Sequence, residues 1–335
     1  MPVRLDPKQH VIHVAPEVVA NTFVAPTAAQ YLITSGLKVE ATSDSNKFSV
    51  DSSCRPVEIS SISKLRTQID FDAPVIWATA APTATANLLN INPILLACGA
   101  KAPIAVAATT VAPIVPAHVR YNMEGDLSAI KTVSVSYRRG CSSAAQQLAR
   151  SIAGGRGSIG FEWEIGKIPT FKVQLVGSYA NYANVTSIAS DASAQLAALA
   201  LPAAASNTGT VTINGKALCL SKVAFKNLFK VSAAIQEVLC GTGAMSKMET
   251  DGSITLTFLF PDIAVAAEFN PDTYRGGSYP FEFNIKGEGT YAARSLRFYT
   301  ASAYVESVKE GATPDGSLAV EMTIQPTAEL TLQHF

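Results

Sequence analysis

Residues 155–160 read Gly-Arg-Gly-Ser-Ile-Gly, a literal G-x-G-x-x-G. In a dinucleotide fold that spacing opens a helix whose backbone amides cradle a pyrophosphate, with a strand before it and an acid about 20 positions on. Here the residues after Gly157 alternate as a strand does, and the window about 20 positions on holds no acid before Asp191. The glycines are therefore expected to serve a bulge or a close backbone approach. The segment 241–247, GTGAMSK, falls short of G-x-x-x-x-G-K-[ST] and reads as a turn. His10 and His13 sit between Pro7 and Pro16 with no thiol or carboxylate cluster beside them, which predicts terminal-arm histidines and no metal site. A G-x-S-x-G nucleophile is absent, and His118 and His334 lie in proline-rich or terminal sequence, poor settings for a catalytic base. Asp70 with Asp72, and Glu162 with Glu164, are two apart on strands and so share a side, as acid/base pairs or as a wet face. The wet face is the expectation. The residues predict no enzyme, no metal and no cofactor.

The elements that must hold these residues are strands. In 157–166, Ile159, Phe161, Trp163 and Ile165 alternate with Ser158, Gly160, Glu162 and Glu164, and Gly166-Lys167 then turns the chain into a second alternating run ending at Gly177 and Tyr179. Similar alternation marks 67–72, 131–137, 253–260, 281–287, 296–308 and 318–325. The expected class is mainly β. Helix signals are few. In 92–99, Asn92 is a candidate cap, Pro93 suits the first turn and Gly99 a left-handed stop. A second helix is expected within 187–209, ending at Pro202 in a linker, and a third in 232–241, while 142–155 fits helix or strand.

Composition narrows the role. Of 335 residues 48% are hydrophobic and only 16% charged, against roughly 25% charged in ordinary soluble domains, which favours a surface buried against partners. The 26 basic and 26 acidic residues cancel, removing any general attraction to phosphate backbones or anionic membranes. Five dispersed cysteines without a C-x-x-C pair point to free thiols from a reducing cytoplasm, and the first ten residues lack the apolar core of a signal peptide. Lys101 and prolines at 103, 113 and 116 break the most apolar tract, so no membrane anchor is expected. The order of elements recurs on either side of 202–209. This divides the chain into an N-terminal arm (1–34), a first β-domain (35–186), a helix and linker (187–209) and a second β-domain (210–335).

Two stretches carry a family resemblance. NINPILLACGA (90–100), a short helix ending in Cys98-Gly99, and 154–179, with Gly155-Arg156-Gly157, a turn, and a strand ending in Gly177-Ser178-Tyr179, resemble the major tail tube proteins of long, non-contractile bacteriophage tails. The closing strands in 269–326 are similar to that family as well. The resemblance implies a β-sandwich or rolled antiparallel sheet with short flanking helices, assembled as stacked rings into a hollow tube in the virion tail after synthesis in the bacterial host cytoplasm. It implies further copies of the chain, tape measure, tail terminator and distal tail proteins as partners, and viral DNA as passing cargo. Asp70, Asp72, Glu162, Glu164 and Glu321 are then the candidate lumen-facing residues of an acidic or neutral channel. Two β-domains per chain make a trimeric ring with pseudo-sixfold symmetry the expectation, ahead of a hexamer. The rival reading is a glycan-binding β-sandwich using Trp77, Trp163 and the tyrosines as a stacking platform.

Overall fold

The computed structural model describes residues 10–50, 57–110, 115–140, 145–190, 192–200, 208–218, 220–238, 241–248, 253–259, 270–312 and 318–335. Strand takes up 57% of it and helix 9%, which makes the protein mainly β. The first half runs β1 (His10–Pro16), β2 (Tyr31–Leu32), β3 (Ser35–Val50), β4 (Val57–Pro74), α1 (Asn92–Ala97), β5 (Ile104–Val106), β6 (His118–Tyr121), β7 (Val133–Arg139), β8 (Gln146–Glu164), β9 (Thr170–Ser178), β10 (Ala183–Thr186) and α2 (Ser193–Ala197). The second runs β11 (Thr208–Ile213), β12 (Lys216–Ala217), β13 (Leu220–Val238), β14 (Gly241–Met248), β15 (Ile254–Leu259), β16 (Ser278–Lys286), β17 (Ser295–Ala312), β18 (Leu318–Pro326) and β19 (Leu330–His334).

The antiparallel pairing scheme occurs twice. In the first half β3, β4, β9 and β8 lie side by side, β7 and β10 join the opening stretch of β8, β1 pairs with β7, and β2 with β1. In the second, β13, β15, β18 and β17 lie side by side, β16 and β19 join the opening stretch of β17, β11 pairs with β16, and β12 with β11. The seam between them is β8 against β13, from Glu164↔Lys222 to Ser158↔Lys230. Thus β1, inside the stretch read as an arm, is a paired strand, and strands from both sides of residue 209 share one sheet.

Alternation explains what each strand buries. Thr67, Ile69 and Phe71 point into the core from β4 while Gln68, Asp70 and Asp72 point away, as the period of a half-buried strand requires. The sheet rolls until its apolar side faces itself. Phe298 of β17 lies 4.6 Å, ring centre to ring centre, from both Phe161 of β8 and Phe225 of β13, and Phe161 packs edge-on against Phe171 at 5.1 Å. These separations fall in the favourable range for aromatic pairs, and the rings bind both halves into one core.

Several elements differ from expectation. Residues 232–238 are not helix: β13 continues to Val238 and pairs with β14, the GTGAMSK segment included, because strand pairing outweighs the weak helix preference of Ala, Gln and Glu. The 142–155 ambiguity resolves as strand from Gln146. Helix in 187–209 is confined to Ser193–Ala197, and Pro202 lies outside the described residues. Ile165 is 56% exposed, because β8 has ended and the Gly166 turn, at φ +80°, carries it off the apolar face. In α1, Pro93 and Gly99 act as read, but Ile91 takes the cap position. Asn92 instead accepts a hydrogen bond from the Tyr121 hydroxyl at 3.1 Å.

Candidate functional site

Asp70, Asp72, Glu162, Glu164 and Glu321 share one face of the rolled sheet. Side chains of directly paired residues point the same way, so the rows Asp72↔Lys172↔Gly160 and Glu164↔Lys222↔Thr257↔Glu321 fix the common side. Between the acids stand lysines that sequence analysis left unpaired with them. Lys172 Nζ lies 2.8 Å from Asp72 and 3.2 Å from Glu162; Lys222 Nζ lies 2.7 Å from Glu162 and 3.5 Å from Glu164; Lys167 closes the row 2.7 Å from Glu164. Signs alternate along the row, so three carboxylates and three ammoniums cancel. Asp70 accepts a hydrogen bond from Gln68 at 2.8 Å and borders a shallow groove with Lys38, Lys172 and Lys226.

The electrostatics follow from these contacts. The hydrogen bond from Lys222, then that from Lys172, holds the Glu162 carboxyl below its usual range, and the Lys167 hydrogen bond does the same for Glu164. Lys222 is raised, chiefly by Glu162. Burial works against the charge on Lys172, but its bonds to Asp72 and Glu162 raise it. Each partly exposed pair adds only about 0–1 kcal/mol, so the row matters less for stability than for presenting a wet, charge-neutral surface. Lys172 was visible on the polar side of β9; its match with acids on the two flanking strands, β4 and β8, needs the register.

The resemblance-bearing residues meet one another. Cys98, at the end of α1, is fully buried, its thiol lies against the backbone N–H of Gly157, and burial pushes its pKa up. Gly99 ends the helix at φ +99°. Gly155, Arg156 and Gly157 are strand residues, with Arg156↔Val176 and Gly157↔Leu175 paired to β9. The G-x-G-x-x-G amides thus belong to a sheet and form no phosphate cradle. A Cβ on Gly157 would stand 1.8 Å from the Gln174 carbonyl oxygen. Gly177 faces Ile152 and Ala153 across the bend in β8. Arg156 donates to the Ile130 carbonyl at 3.3 Å, and Tyr179, partly exposed, donates to Asn181 at 2.9 Å.

Glu17 is the anchor that sequence analysis missed. Just after β1 and buried, its carboxylate accepts hydrogen bonds from the backbone N–H of Asn21 and Gly154 and the hydroxyl of Ser134, each at 2.8 Å, and from the hydroxyl of Thr132. One acid thereby ties the chain after β1 to β7 and to the bend in β8. A lone Glu after a proline carries no periodic signal. Nearby, Arg138 reaches Ser136, Gln147 and the Thr186 carbonyl, which buries the polar side of β7 that its alternation left facing water.

Two histidines are buried as well. Burial, with the charge of Arg138, lowers His13 from 6.5 to about 4; burial, with Arg294, lowers His334 likewise to about 4. Both native values lie below the unfolded one, so as pH falls the unfolded chain takes up protons first. Stability is therefore full above pH 6.5 and is lost as pH drops from 6.5 toward 4. The expected result is a lower urea midpoint at pH 5 than at pH 7, with His334→Leu flattening the difference; equal wild-type midpoints would refute it.

Among the described residues no group of three or more His, Cys, Asp or Glu is placed to hold a metal ion, and no helix is long and apolar enough to cross a membrane. No protein-family model matches the chain, and no curated protein matches it.

Proposed function

We propose that this chain is a structural virion protein, the subunit of a non-contractile phage tail tube, polymerising as stacked rings through which DNA passes. The observation that carries the reading is the duplicated strand scheme with its two open edges. At the seam, β13 fills the edge of β8. By the correspondence of the halves, β17 stands where β8 does and β3 where β13 does. Among the described residues β3 pairs only with β4, and β17 beyond Val305 has β18 as its only strand partner. The Gly276–Gly277 backbone bonds Val305, and Arg275 donates to the Val308 carbonyl, so the edge left open is the stretch after Val308. The outer edge of β17 in one copy is thus matched to β3 of the next, and such unlike-edge contacts close into a ring when the rotation permits. The neutral row of Asp72, Lys172, Glu162, Lys222, Glu164 and Lys167 then lines the lumen, a wet surface along which a polyanion slides without adhering.

Three chains, each contributing both strand sets, form the proposed pseudo-sixfold ring, which assembles in the host cytoplasm and meets the tape measure, terminator and distal tail proteins. Native mass spectrometry with electron microscopy tests it. A ring near 106 kDa, three times 35.2 kDa, is expected. A ring of twice that mass would replace the trimer with a hexamer, and a chain that stays monomeric at high concentration in every salt would end the tail tube reading. Glu162→Lys with Asp70→Lys adds phosphate contacts in the lumen, so variant tubes should release DNA more slowly in low salt. Wild-type release would remove these residues from the lumen. The glycan-binding alternative loses its two tryptophans, since Trp77 and Trp163 are 4% and 2% exposed, and keeps only exposed tyrosines such as Tyr179 and Tyr304.

A further inference from the structure

Tyr182, in the link between β9 and β10, lies between two arginines. The Arg150 guanidinium is 4.3 Å from its ring centre and that of Arg139 5.6 Å. Arg139 also sits 5.4 Å over Tyr137, donating its Nε–H to the hydroxyl at 2.8 Å, and Arg150 lies 6.0 Å from Tyr179. Aromatic faces attract cations but cancel no charge. Among the described residues the ion pairs engage other groups, and the Nε–H of Arg150 is buried without an acceptor. Two guanidinium groups held against one ring repel each other, and an anion bound between them would relieve that repulsion.

The anion's source follows from charge balance. The chain has 26 basic and 26 acidic residues, so an uncompensated basic surface leaves an acidic excess elsewhere on the same molecule. On the described surface, the later part of β17 and the start of β18 expose Glu306, Glu310 and Glu321 around Lys309. The two surfaces lie at opposite ends of the sheet. Four antiparallel steps, through β13, β15 and β18, make β17 run in the same direction as β8. Arg150 is near the start of β8, and Arg139, at the end of the antiparallel β7, is beside it. Glu306 and Glu310 lie where β17 finishes.

We propose that Arg139 and Arg150, braced by Tyr182, receive carboxylates from the β17–β18 end of a second copy of this chain, in a head-to-tail contact along the strand direction. The inference rests on the self-assembly reading and adds an axial contact to the lateral one. Planar guanidinium groups suit paired carboxylate oxygens, and a contact between unlike surfaces repeats from copy to copy without closing.

Charge exchange tests it by sedimentation velocity, comparing wild type with Arg139→Glu/Arg150→Glu, with Glu306→Arg/Glu310→Arg, and with all four substitutions together. Because Glu306 and Glu310 lie on the β17 stretch assigned to the lateral contact, native mass spectrometry of each variant reads ring closure separately from axial assembly. Wild type should assemble, less so as salt rises. Each two-residue reversal should raise the concentration needed for axial assembly by about tenfold or more, and the fourfold exchange should bring it back toward wild type. Arg139→Gln/Arg150→Gln, with its urea midpoint measured alongside, separates lost contact from lost fold and should weaken assembly less than the reversal. Unchanged assembly in either reversal, or no recovery in the exchange, would overturn the contact while leaving ring formation intact. A wild-type chain that never associates would overturn the self-assembly reading and this contact together.

Discussion

Replacing Gly157 with alanine is expected to abolish the fold. The added Cβ would lie 1.8 Å from the Gln174 carbonyl oxygen, 2.8 Å from its carbon and 3.0 Å from Leu175 Cα, all backbone atoms of the neighbouring strand. No rotamer relieves such a clash; β8 must part from β9 where Gly157 pairs with Leu175 and where α1 rests its Cys98 thiol. The expected loss is about 4 kcal/mol or more, seen as failure to recover soluble protein or a collapsed urea midpoint. Gly166→Ala is the control. At φ +80° with nothing within 4 Å of the new carbon, it meets only backbone strain, about 1 kcal/mol. A Gly157→Ala protein with the wild-type midpoint would show that β8 and β9 are not packed this closely.

Phe298→Ala should be nearly as damaging, for a different reason. Phe298 is fully buried between Phe161 and Phe225, with Phe283 at 5.8 Å, so its removal opens a cavity where the two strand sets meet. The expected cost is about 3–5 kcal/mol, and less than about 1.5 kcal/mol for Phe298→Leu, which keeps most of the volume. Because the ring joins both halves, one cooperative transition should move as a whole. Two separate unfolding steps in wild type, with only the later half sensitive to the substitution, would contradict a shared core. Tyr304→Ala, on a side chain of the same strand that is 40% exposed, should cost much less, about 1 kcal/mol.

The five acids were legible because strand alternation is local: in 67–72 and 159–164 each residue's side follows from its parity alone. That reasoning could not reveal the lysines between them, since Lys172, Lys222 and Asp72 come from three strands brought into register by the whole sheet. Glu17 was hidden for a similar reason. Its four donors come from the turn after β1, from β7 and its approach, and from β8, separated by up to 137 positions.

By itself the sequence determined the β class, the Gly166 hairpin, the proline and glycine bounds of α1, and the apolar side of most strands, all set by steric and solvation preferences within a few residues. It also showed the recurring order of elements on either side of 209. Only tertiary structure decided partners. Residues 232–238 became strand because β14 offers a full ladder of backbone hydrogen bonds, which a modest helix preference cannot match. Ile165 lost its place in the core because the chain turns at Gly166 directly after it, at the very end of the sheet. The matched pairing of the two halves and the seam of β8 with β13 are properties of register between distant strands, and no local pattern of residue types encodes register.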